Sequence, residues 1–185
     1  MIYDYMQVAP RSWSSSGKPS GPEWLRKLLG EDWFHFPVYL SLQDGSMPNA
    51  LPEVNALPRL KTLMIHGKSI DDDALGQLGP LNELEEIHLY EARLSPDGLA
   101  QLAKFPKLRW LVLNGTPVSE AGCAALARLE NLEELSLDDT GISDDGARQL
   151  AALRNLKKLE LGRSKVTSDA RKELQQAMPN CKISR

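Results

Sequence analysis

Apolar residues recur along this chain with a fixed frame rather than a simple alternation. From Leu57 onward, five segments superimpose at a 24-residue period, beginning at Leu57, Leu81, Phe105, Leu129 and Leu153 without insertion. The shared frame is LxxLxxLxLxxxxhxxxxhxxL, where h is any apolar residue. In each copy the last two leucines of LxxLxxLxL stand two apart, which puts them on one face of a short strand. The next apolar residue (Ile70, Leu94, Val118, Ile142, Val166) closes a turn into the core. A helix-start signal follows: Asp71, Ser95, Ser119, Ser143 or Thr167 at the N-cap, acidic residues behind it, and Pro96 at a first helical position. One such unit cannot bury its apolar face, but stacked units form a continuous core.

Small residues (Ala74, Gly98, Gly122, Gly146, Ala170) stand one place before the first inward helical position of every copy. Glycine there costs roughly 1 kcal/mol of helix stability relative to alanine, so we expect successive helical segments to pack too closely for a larger side chain. No GxxxxGK[ST] accompanies them, and a phosphate loop is not the reading.

The ends divide as follows. Residues 1–21 read as a flexible lead-in, and 22–37 as a helical cap built on Trp24, Leu25, Leu28 and Leu29, with His35 inside it. Residues 38–56 read as a degenerate first repeat, 57–176 as the five full repeats, and 177–185 as a C-terminal edge strand with Cys181 at a core leucine position.

The stretches "NGTPVSEAGCAAL", "DDTGISDDGARQL" and "EARLSPDGLAQL" resemble the leucine-rich-repeat superfamily, in particular its ribonuclease-inhibitor-like group with bacterial and eukaryotic members. The likeness covers roughly residues 38–183. It implies an α/β fold, a right-handed solenoid with a parallel sheet on the concave face and short helices on the convex one. Many members carry Asn or Thr where this chain has Lys68, Ala92, Thr116, Thr140 and Ser164, so the hydrogen-bond ladder of the turn is expected to be incomplete at the first two. Some bacterial relatives carry a membrane anchor upstream of a similar cap. The resemblance therefore leaves two placements open, cytoplasmic if the chain is complete and envelope-attached if an anchor precedes it.

The segment "LRWLVLNGT" raises the functional question. Leu108, Leu111 and Leu113 suit the inward face, which leaves Trp110 and Val112 pointing at water. Outward positions form columns across strands about 4.8 Å apart. The first column is Tyr39, Thr62, Glu86, Trp110, Glu134 and Lys158; the second is Ser41, Met64, His88, Val112, Ser136 and Glu160. The third is Gln43, His66, Tyr90, Asn114, Asp138 and Gly162. Met64, His66, His88, Tyr90, Trp110, Val112, Asn114, Glu134 and Asp138 are the candidate partner-binding residues: an aromatic patch with an acidic flank completed by Asp139, then Lys158 and Arg163, the composition of a recognition surface.

Composition narrows the partner. A net charge of −3 gives no electrostatic footprint for nucleic acid. No apolar run is long enough to span a bilayer, and the N-terminus has no signal-peptide pattern. The two cysteines, Cys123 and Cys181, occupy core positions and read as buried hydrophobes. His66 and His88 with Glu86, Tyr90 and Glu91 nearby offer zinc-type ligands, yet side chains on a shallow sheet diverge. No GxSxG, HExxH or SxxK is present. Asp71, Asp72 and Asp73 read as helix capping rather than a metal site. The sequence thus points to a non-catalytic module without cofactor, binding a protein partner on its concave face; self-association stays open. The alternatives are a structural spacer and a metal-dependent site at His66/His88.

Overall fold

The computed structural model describes residues 38–43, 54–55, 57, 59–68 and 70–185. The lead-in, the cap helix with His35, and most of the degenerate first repeat lie outside these residues. Among them seven strands form one all-parallel sheet in chain order. They are β1 (Val38–Gln43), β2 (Leu60–His66), β3 (Glu86–Tyr90), β4 (Trp110–Val112), β5 (Glu134–Ser136), β6 (Lys158–Glu160) and β7 (Lys182–Ser184). From β2 onward one short helix runs between each strand and the next: α1 (Asp72–Gln77), α2 (Pro96–Ala100), α3 (Glu120–Leu126), α4 (Asp144–Gln149) and α5 (Ser168–Ala177). Strand, turn and helix thus alternate once per repeat, as parallel pairing requires a crossover between neighbours.

The inward leucines build the core. Leu63, Ile65, Ile87, Leu89, Leu111, Leu113, Leu135, Leu137, Leu159 and Leu161 are all buried and stack from strand to strand. The helices close the other side with Leu75, Leu99, Cys123, Leu126, Ala147 and Leu174. Among the described residues, the opposite face of the sheet carries no helix.

Each helix opens as its N-cap residue dictates. The side chains of Asp71, Ser95, Ser119, Ser143 and Thr167 accept from the backbone N–H three residues on, at Ala74, Gly98, Gly122, Gly146 and Ala170. A second capping layer, not anticipated from the sequence, joins successive helices. Asp72 at the start of α1 accepts from the Ser95 N–H and hydroxyl. The Ser143 hydroxyl donates to Glu120 at the start of α3, and Asp144 at the start of α4 accepts from the Thr167 N–H and hydroxyl. Pro96 holds the same position in α2, where the relay is broken. The visible signal was an acidic residue at the first helical position of the first, third and fourth copies (Asp72, Glu120, Asp144).

The small residues are packed as expected. A Cβ added at Gly98 would stand 1.8 Å from Asp72 Oδ1, one at Gly122 2.9 Å from Leu99 Cδ1, and one at Gly146 3.0 Å from Cys123 Sγ. The turn ladder also follows the sequence. Thr116 Oγ1 accepts from the Ala92 N–H and donates to the Leu89 carbonyl, so the neighbouring repeat supplies the hydroxyl that Ala92 lacks. Thr140 and Ser164 donate to Leu137 and Leu161 within their own repeats. Both cysteines are buried thiols, Cys123 with its pKa pushed up to about 11 by desolvation first and Glu120 second. Cys181 does fill a core leucine position, 3 % exposed. The chain then advances by one residue, because β7 pairs Ile183 with Leu159 and so turns Ile183 toward the core side.

Candidate recognition surface

The open face is set by register. β2 to β6 pair Thr62 with Glu86, Glu86 with Trp110, Trp110 with Glu134, and Glu134 with Lys158; the next outward column pairs Met64, His88, Val112, Ser136 and Glu160. Trp110 is 43 % exposed, and among the described residues it is the one large hydrophobic side chain left in solvent. Met64, His66, His88, Tyr90, Val112, Asn114, Glu134 and Asp138 are all half-buried on the same strands or on the turns that leave them.

Within this surface the structure divides what the sequence joined. His66 stacks on Tyr90, ring centroids 4.2 Å apart and 12° from parallel. Tyr90 Oη lies 3.1 Å from His88 Nδ1, and His88 Nε2 lies 2.6 Å from Glu86 Oε1. Thr62 Oγ1 donates to the other Glu86 oxygen at 3.0 Å. A continuous polar chain therefore runs Thr62–Glu86–His88–Tyr90, lidded by His66. Trp110 is not part of it: its register neighbours are the carboxylates of Glu86 and Glu134.

The network sets the local charge. The hydrogen bond to His88 is the main cause holding the Glu86 carboxyl below its usual range. His66 is also pushed down, by desolvation first and by His88 second, with Glu91 opposing. Both ring nitrogens of His88 are engaged by Glu86 and Tyr90, so a metal at His66/His88 would have to break that chain. Among the described residues no group of three or more His, Cys, Asp or Glu is arranged to hold a metal ion.

Two candidates serve the backbone. Asn114 Oδ1 accepts from the Ser136 hydroxyl at 2.8 Å and from the Asp138 N–H at 3.1 Å. Asp138 Oδ1 accepts from the Gly162 N–H, and a Cβ at Gly162 would stand 2.7 Å from it. Ser136, an outward position by parity, is consequently buried at 5 % beneath Asn114. The third column thus changes character along the sheet, from an aromatic stack at β2 and β3 to a turn ladder further on. Of the charged flank, Lys158 pairs with Glu160 at 2.8 Å and Arg163 lies 3.8 Å from Asp139. Glu160 was not among the candidates; its place in the second column was the signal for it.

Hollows lie on the open face and at the strand entries. One of about 130 Å³ lies on the open face around Glu86, His88, Trp110, Val112, Glu134 and Glu160. A larger one, about 560 Å³, lies where the chain enters the strands, along Glu85, Lys107, Arg109, Glu133 and Lys157. Its charges are already matched within the chain: Lys61–Glu85 and Lys107–Glu83 at 2.7 Å, and Glu133 between Arg109 at 2.7 Å and Lys157 at 2.8 Å. That zipper ties repeat to repeat and leaves no charge waiting for a ligand.

No family model and no curated protein matches the chain. Solved structures do. A Bacteroides fragilis protein superimposes with a TM-score of 0.53 at 22 % identity, covering 69 % of this chain and 41 % of that one. Internalin C2 from Listeria monocytogenes gives 0.53 at 23 % identity, covering 73 % of this chain and 55 % of its own. This chain therefore matches about half the length of either. The repeat frame, the parallel sheet in chain order and these superpositions together give the chain the leucine-rich-repeat fold.

Proposed function

We propose that this chain is a non-catalytic interaction module that binds a protein partner through the open, concave face of its sheet. One observation carries the reading: Trp110 is 43 % exposed, the one large hydrophobic side chain left in solvent among the described residues. An isolated exposed apolar residue needs no explanation. Here the indole stands on a rigid strand between half-buried side chains, and tryptophan in that setting is the residue type that most often anchors a protein interface. The leucine-rich-repeat fold supports the reading in general terms, since a solenoid offers a long, helix-free surface rather than a deep cleft.

The test is affinity capture from native lysate with the wild-type chain, Trp110→Ala and Tyr90→Ala side by side. Loss of a defined partner with Trp110→Ala is expected, at unchanged circular dichroism. Undiminished capture by both variants would leave the sheet face a bystander and favour a spacer solenoid.

A further inference from the structure

The surroundings of Trp110 narrow the chemistry of what it meets. Its register neighbours on both sides are carboxylates, Glu86 on β3 and Glu134 on β5. Parallel strands about 4.8 Å apart place both within reach of anything lying on the indole. The hollow there, about 130 Å³, is well below the roughly 300 Å³ at which small-molecule sites begin; it suits the head of one side chain.

The charges are unevenly matched. Lys158 is taken up by Glu160 at 2.8 Å. Glu86 accepts from Thr62 and contacts His88. The Glu134 carboxylate accepts no hydrogen bond among the described residues, although, after Glu160, it helps hold the Lys158 ammonium protonated. An apolar occupant would strip water from Glu134 and offer nothing in return. An anionic one would meet like charge. A cation would find the indole face beneath it and carboxylates at either side, the arrangement in which cation–π and ionic attraction act together.

Resting on the open-face reading above, we infer that the partner inserts a basic side chain, arginine or lysine from a protruding segment, over Trp110 between Glu86 and Glu134. Lys158, two strands from Trp110 but on the rim of the same hollow, then acts against the partner as a like charge held back by Glu160.

A random peptide library displayed on phage and selected against the full 185-residue chain tests this. The winners are then compared on wild type, Trp110→Ala, Glu134→Gln and Lys158→Met, with circular dichroism confirming each fold. Trp110-dependent peptides are expected to share an arginine or lysine whose replacement by alanine abolishes binding. Their affinity should fall about tenfold with Trp110→Ala, fall roughly threefold to fivefold with Glu134→Gln, and rise with Lys158→Met. Trp110-dependent peptides that are apolar or acidic and indifferent to Glu134→Gln would overturn the cation while leaving the open-face reading standing. A selection in which no winner depends on Trp110 would overturn both.

Discussion

Gly98 shows how much a single position can carry. A Cβ there would meet Asp72 Oδ1 at 1.8 Å, and that carboxylate is the acceptor for both the N–H and the hydroxyl of Ser95. Alanine should favour α2 by roughly 1 kcal/mol on propensity alone. Displacing a carboxylate from two charge-assisted hydrogen bonds costs more, on the order of 2–3 kcal/mol. Gly98→Ala is therefore expected to destabilise the chain by about 1–2 kcal/mol in urea unfolding. With Asp72→Ala already in place the same change should become stabilising, because the obstructing carboxylate is gone. A cost that persists unchanged in the double variant would refute this account of the small-residue positions. The recurrence of Ala or Gly was legible as close packing; that a carboxylate was the close neighbour at Gly98 was not, because the relay joins residues 23 apart.

At the scale of elements, strand parity was legible and side-chain pairing was not. Trp110, Met64, His88 and Val112 emerge on the face that alternation assigns to them, since one residue of slip would bury the whole outward set. What alternation cannot say is which outward groups satisfy each other. Thus Asn114 and Asp138 turn back onto the chain, and Ser136 disappears beneath Asn114. Similarly, the last strand lies one residue out of the frame set by Cys181, a deletion that only pairing with Leu159 reveals.

The β2–β3 pair also has a consequence in acid. Desolvation and His88 lower the His66 pKa from 6.5, so the folded chain takes up that proton less readily than the unfolded one. The His66 contribution is full above pH 6.5 and is lost as the pH falls through the lower folded value. Glu86 acts in a separate window, because its pKa is lowered from 4.5 and its contribution fades only below that value. Urea midpoints measured from neutral pH down to about 5 should decline less for His66→Gln than for wild type. Parallel curves would mean that burial and the neighbouring His88 do not penalise the His66 imidazolium.

Across the whole molecule, one frame repeated five times explains the fold, with the cross-strand core, the charge zipper at the strand entries and the helix relays each linking a repeat to its neighbour. Such a coil presents one face to its helices and one to its surroundings, and the second bears Trp110. The most direct test of that division places a photo-crosslinking residue either at Val112 on the open face or at the exposed Gln176 on α5, followed by irradiation in native lysate. The account predicts a discrete adduct from position 112 that vanishes with Trp110→Ala, and none of comparable yield from position 176. An adduct formed from the helical side alone, or one from position 112 that survives loss of the indole, would contradict it.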